Sequence, residues 1–416
     1  MDGTWGRVRT KGGLSGRPDQ LRTWLSQWFG LLIFLSGFLG TSPSILAEDV
    51  PHVRVRFRVP GTAETPGSSP PVVEKTLEGR LRIQAVDGSL LLEDRFGALW
   101  PIMASQSPVS ETMETPFLWM NADELTASLL AEFGEGFEVV RTRHYLICTN
   151  AGPGYGGWCG QLFERLHAGF QKFWEERIPG LEAPDRPLVA IAFATREQYQ
   201  AFQETDAGGQ VGAARGYFSA RTNRIVLFDQ SADELGGNRQ TAAEIHKLAV
   251  RHPETIGTVI HEAVHQLSFN IGLQTRYADN PAWFSEGLAT YFETPDLETR
   301  SGWKTIGQVN AARLHRYRLL AKKRTLETRS LIATEDRFRD PQHQEDAYAE
   351  AWALHFFLLR TQKEKYDRYL QMLGTKPQLQ WDTPDQRVAD FEAAFGPLAD
   401  VEREQAKFMA RLRGGR

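Results

Sequence analysis

The stretch Thr255 to Glu293, TIGTVIHEAVHQLSFNIGLQTRYADNPAWFSEGLATYFE, is the part of the chain on which the reading of the whole turns. It contains His261-Glu262-x-x-His265, and after a gap of 20 residues Glu286 sits in a second apolar run, WFSEGLATY. On a helix, residues four apart stand one above the other, so the two imidazoles can converge on one ion. The spacing predicts such a helix: Pro253 suits a first turn and Gly272 a stop, while Ile256, Ile260, Val264, Leu267 and Ile271 recur as a core-facing stripe. A carboxylate some twenty residues on completes a His2Glu set, which leaves a fourth position for water on zinc. Glu262 projects about 100° round the helix from His261 and is placed to move a proton rather than to ligate. The bland alternative is a surface helix with two solvated histidines.

At these residues the sequence resembles the gluzincin metallopeptidases, and the phrase Pro281-Ala282-Trp283-Phe284-Ser285-Glu286-Gly287-Leu288-Ala289 is similar to the W-x-x-E-G-x-A signature of their aminopeptidase-like branch. More narrowly, the run from about Phe137 to Gly396 resembles a domain-of-unknown-function family, number 1570, grouped with peptidase MA-like proteins. The substrate-amine motif G-x-M-E-N of the aminopeptidases is absent. The resemblance implies an α+β, zincin-like catalytic domain, a mixed sheet plus an active-site helix, holding Zn2+ through His261, His265 and Glu286, with Glu262 as general base. It also implies an edge strand bordering the cleft, either Gly216 to Ala220 or Arg224 to Phe228, to which an extended peptide can add. A tyrosine some tens of residues past the third ligand serves as oxyanion donor in that branch, and Tyr348 lies 62 positions after Glu286. Tyr348 also begins a helical stripe with Trp352, Phe356 and Leu359, so a plain core role stays open for it.

Around this centre the chain divides into four. Residues 1–47 read as a targeting segment: Arg7, Arg9, Lys11, Arg17 and Arg22 precede an apolar run from Trp28 to Leu39 and a cleavage-like Ile45-Leu46-Ala47. Export, to a periplasmic or extracellular place, is the consequence. The rival is an uncleaved membrane anchor, since no charge occurs between Arg22 and Glu48. The segment carries five basic and two acidic side chains, so a chain without it has a net charge of −7 rather than −4. Such a balance offers nucleic acid no basic footprint.

Residues 48–120 read as a small β-rich module, from the alternation of Val53, Val55, Phe57 and Val59 with Arg54, Arg56 and Arg58 and from an Asp87-Gly88 hairpin turn. Residues 121–300 form the catalytic domain and 301–416 a helical part, with helices over Ala311 to Lys323, Ala347 to Leu359, Lys365 to Leu373 and Val401 to Leu412. The basic run Arg313 to Arg324 reads as a solvated face. The only two cysteines, Cys148 and Cys159, flank a Gly-rich stretch that reads as a loop, and behind a targeting segment an even count predicts a disulfide.

Two function classes follow: an exported zinc endopeptidase acting on peptides or proteins, or a catalytically silent module that keeps the fold to bind metal or peptide. The retained Glu262 favours the first, because a binder has no need of a base.

Overall fold

The computed structural model describes residues 51–61, 71–181, 183–206, 214–230, 241–294 and 303–413, so residues 1–47, expected to be a targeting segment, lie outside the described residues. The architecture is α+β, with two five-stranded sheets. No helix among the described residues is long and apolar enough to cross a membrane. Two compact units are present, one made of residues up to Leu92 with Trp100–Phe117 and Gln200–Gly212, the other of Glu93–Leu99, Leu118–Tyr199 and Ala213–Arg416.

The first unit is built on the N-terminal sheet. Its strands are β1 (His52–Pro60), β2 (Val72–Gln84), β3 (Leu90–Asp94), β4 (Leu99–Ile102) and β5 (Val109–Thr112), in the order β4-β3-β2-β1-β5. The alternation in β1 does what it predicts, since Val53, Val55 and Phe57 are buried with Leu90, Leu92 and Ile102. The turn between β2 and β3 sits at Asp87-Gly88, with Gly88 at φ 89° and the Ser89 amide donating to the Asp87 carboxylate.

The second unit holds every residue singled out for chemistry. Its sheet comprises β6 (Glu138–Arg141), β7 (Tyr145–Thr149), β8 (Leu188–Phe193), β9 (Gly216–Ser219) and β10 (Arg224–Phe228), in the order β6-β7-β8-β10-β9. The strands β7, β8 and β10 are parallel, and β6 and β9 run antiparallel at the two edges. Strands covered on both faces need apolar side chains throughout. Accordingly every residue of β7, β8 and β10 is buried. Of the two candidate edge strands, β9 is the edge among the described residues and β10 is internal.

Helix α1 (Ala122–Phe133), capped by a reciprocal Asn121/Glu124 box, precedes β6. Helix α2 (Pro153–Glu175) joins β7 to β8, α3 (Arg196–Asp206) follows β8, and α4 (Ala242–Arg251) leads into α5 (Pro253–Asn270). The stripe Ile256, Ile260, Val264, Leu267 and Ile271 is buried along α5, and the helix stops where Gly272 adopts φ 83°. Then come α6 (Ala282–Phe292), α7 (Ala311–Lys323), α8 (Thr328–Ala333), α9 (Asp336–Arg339), α10 (Gln344–Thr361), α11 (Lys363–Gly374), α12 (Pro384–Phe395) and α13 (Leu398–Arg411).

One local expectation is overturned. The Gly-rich stretch between the cysteines is not a loop, because α2 begins at Pro153 and runs through it. Packing rather than turning demands Gly156, where a Cβ would stand 2.8 Å from Val140 Cγ2, and Gly160 just past Cys159, where one would stand 2.6 Å from Thr142 Cγ2, while Gly152 at φ 89° still turns the chain into the helix. The disulfide goes with the loop, since Cys148 and Cys159 are both free and buried. Side chains alternate across a strand. Ile147 of β7 joins α2 and Cys159 in the main core, whereas Cys148 points through the opposite face towards Arg224 and Glu132. The sheet therefore separates the two sulfurs. Burial pushes the Cys148 thiol up to about 12 and the Cys159 thiol higher still. Since the thiolate is the reactive form, neither cysteine should be alkylated in the native protein, and both should be alkylated after unfolding without reductant. A disulfide-linked peptide pair in a non-reducing digest would contradict this arrangement.

Candidate metal centre

Helices α5 and α6 carry the site, and what fixes them relative to each other is the connection from Ile271 to Pro281. Its polar groups are satisfied internally: Ser268 Oγ donates to Gln274 Oε1 at 2.8 Å, and Gln274 Nε2 donates to Ser285 Oγ at 2.5 Å. Two buried charges pin it from either side. Arg276 donates to Glu93 Oε1 at 2.8 Å and to the carbonyls of Gly97 and Ala220, and Asp279 receives a forked pair of bonds from Arg387. Charges taken out of water need such partners. Helix α6 then lies close on α10 because residue 287 is glycine; a Cβ there would stand 2.9 Å from the Ala351 carbonyl and 3.0 Å from His355 Cβ. Trp283 and Phe284 are fully buried: Trp283 packs tilted against Tyr369 and edge-to-face against Phe391, Phe284 stacks on Tyr366, and these contacts set the rotation of α6.

With the helices so placed, the three ligand atoms meet. His261 Nε2 is 2.9 Å from Glu286 Oε2 and 3.1 Å from His265 Nε2, and His265 Nε2 is 3.5 Å from Glu286 Oε2. Atoms at three corners of a tetrahedron with metal bonds of about 2.0–2.1 Å stand about 3.3 Å apart. The separations fit that figure, and His261, His265 and Glu286 are the one group of its kind among the described residues. Glu262 accepts a hydrogen bond from the Phe218 amide of β9, and Gly216 leaves the strand bare above it, a Cβ there falling 3.5 Å from Glu262 Cγ. Tyr348, at the start of α10, packs its ring edge-on against His261 at 5.8 Å, with its hydroxyl under the influence of the Glu286 charge. All five residues anticipated from the sequence are thus brought to one place.

Three more were not anticipated. His261 Nδ1 is 2.9 Å from Glu293 Oε1, and Glu293 is in turn held by Arg313 at 3.5 Å and by Asn310 Nδ2 at 3.3 Å. A carboxylate on the far ring nitrogen orients a ligating histidine and fixes which nitrogen faces the metal. The signal was present in the sequence, since Glu293 follows Glu286 by seven residues, two turns along the same side of a helix. Arg313 corrects the reading of the basic run as a solvated face. It turns inward, bridging Glu293 and Glu345 and lying 5.2 Å from the centre of the Tyr348 ring, whereas Arg316, Lys322 and Lys323 do face solvent.

The charges respond to this crowding. Burial opposes a charge on His261, but hydrogen bonds to Glu286 and Glu293 outweigh it and raise its pKa well above the ordinary histidine value. Burial likewise resists ionisation of Glu286, yet His265 and His261 hold that carboxyl far below its usual range. Glu262 moves the other way, since burial raises it against the pull of the two histidines. The donor set is one that attracts a cation, with a carboxylic acid of raised pKa beside it.

Residues 255–380 match a family model described as a protein of unknown function, DUF1570. The matched span contains His261, Glu262, His265, Glu286, Glu293, Arg313 and Tyr348. No curated protein matches the chain. Replacing Glu293 by Gln keeps the shape of the contact and removes its charge, so metal affinity measured by chelator competition should fall about 10- to 100-fold. An unchanged affinity would mean that Glu293 does not orient His261.

Proposed function

We propose that this chain is an exported zinc-dependent peptidase that cuts within peptide chains. One observation carries the reading: three ligand atoms converge beside Glu262, a carboxyl of raised pKa that lies against the edge strand β9, and the Tyr348 ring packs on His261 at the same place. Two imidazole nitrogens and one carboxylate oxygen are the ligand types and number of a catalytic zinc site, in which the remaining position belongs to water. Bound there, zinc would polarise the scissile carbonyl and bring the pKa of its water towards neutrality. Export rests on residues 1–47 and their basic and apolar pattern.

The chain's own residues divide the remaining work. An extended peptide adds to β9, the edge strand of its sheet among the described residues. Glu262 takes the proton of the attacking water and passes it to the departing amine, a task suited to a carboxyl whose pKa burial has raised. Tyr348 donates its hydroxyl to the oxygen that gains charge at the carbonyl carbon. Its own pKa is raised, by burial and then by the charges of Glu286 and Glu262, so it stays a protonated donor. Glu293 and Arg313 keep His261 in the tautomer that presents Nε2. A purely metal-binding or peptide-binding module would have no use for Glu262 in this position.

Glu262→Gln should keep its metal and lose turnover by about two orders of magnitude or more, measured on whichever peptides a library digest identifies. Tyr348→Phe should retain metal and fold while kcat drops about 10²- to 10³-fold, the cost of one oxyanion donor. Wild-type turnover in Glu262→Gln would refute the mechanism, and a Tyr348→Phe variant altered in thermal stability alone would return that residue to the core.

A further inference from the structure

Beside the metal centre stand two aromatic rings that the apolar core does not use. Phe218 lies on β9 and pairs with Ile225 of β10, whose side chain enters the core beneath the sheet, so Phe218 is directed to the same side, towards α5. Phe269 follows His265 by four residues on α5, as His265 follows His261, and the three share one face of that helix. The two rings stack with centroids 5.4 Å apart and planes inclined by 16°. Both are only half-buried, and neither belongs to the core cluster that takes in their neighbours Ile225, Ala263 and Leu267.

Their position relative to the reacting groups is fixed twice over. The Phe218 amide donates to Glu262, which places its residue next to the base, and Gly216 stands over Glu262 with no side chain. Along β9 from Gly216 to Phe218, the facing residue on α5 therefore moves from Glu262 to Phe269. A substrate strand laid on β9 passes over a bare stretch at the base and then meets the aromatic pair. Two half-buried rings held in a stack offer a third aromatic or large aliphatic group an apolar face to pack on.

We propose that Phe218 and Phe269 form the specificity wall of this site, selecting a large apolar side chain, aromatic above all, directly next to the bond that is cut. The proposal rests on the peptidase reading for its substrate class, but its geometry can be tested without turnover.

Two hydroxamates provide the test, acetohydroxamate with a methyl group and hydrocinnamohydroxamate with a phenyl-bearing arm. Each anchors on the metal of the zinc-loaded full chain through the same chelating group, and they differ in what they lay against the wall. Calorimetric titration should find the phenyl-bearing probe tighter by about tenfold or more, the usual worth of one buried apolar group. In Phe218→Ala and Phe269→Ala that ratio should fall towards one with acetohydroxamate binding unchanged, and in Phe269→Leu most of it should persist. Acetohydroxamate binding also certifies that each variant is folded and loaded. Should Phe218→Ala fail that check, Phe269→Ala, a substitution on a helix surface, decides the matter alone. Equal affinity for the two probes in the wild type, a preference that survives both alanine variants, or failure of either probe to bind a zinc-loaded chain would overturn the wall. A chain that shows the preference yet cleaves no peptide would overturn the peptidase reading and leave the wall standing.

Discussion

The structure depends on holding two imidazoles and a carboxylate within hydrogen-bond distance of one another where water has little access. Such an arrangement is unfavourable on its own, since buried polar and charged groups lose hydration and must recover it from partners. His261 is 8% exposed and spends one nitrogen on Glu293 and the other on Glu286. Much of the surrounding fold can be read as the means of keeping these groups together. The connection between α5 and α6 is anchored by Arg276 and Asp279, and Gly287 lets α6 approach α10. That approach brings Tyr348 to Glu286. A cation that binds the three ligands in the folded chain and not in the unfolded one adds its binding free energy to stability, so metal and fold are linked.

How much of this was legible in advance depends on how local each signal is. The helix α5, its buried stripe and the convergence of His261 with His265 follow from periodicity within eighteen residues, and periodicity is what a sequence displays best. Glu286 could be found because ligand number and type are chemically restricted. The edge strand was narrowed to two candidates and no further, because which of β9 and β10 is internal is decided by β8 and its parallel pairing with β10, a contact far away in the sequence. Glu293 and Arg313 were missed for a related reason. Glu293 lies two turns past Glu286, but nothing marks that carboxylate off from other acidic residues until its contact with His261 is seen, and Arg313 sits in a run of which Arg316, Lys322 and Lys323 do face solvent.

The Gly-rich stretch before Trp158 shows the opposite failure, a strong local signal that tertiary packing overrode. Glycine-rich sequence ordinarily marks a loop, and in isolation GPGYGG would be one. Here Gly156 and Gly160 face the β6–β7 hairpin so closely that any side chain would collide with Val140 or Thr142, and the packing gained outweighs the poor helix propensity. The misread loop carried the disulfide with it, because two cysteines at the ends of a loop can meet whereas a sheet stands between Cys148 and Cys159.

The central claim is that His261, His265 and Glu286 together hold one metal ion, and elemental analysis of the purified chain tests it most directly. One zinc per chain is the expected content, with stoichiometric binding lost in His265→Ala and in Glu286→Ala while circular dichroism stays that of a folded protein. Full zinc occupancy in both variants, or a folded wild-type chain that takes up no divalent metal after dialysis against it, would contradict the account.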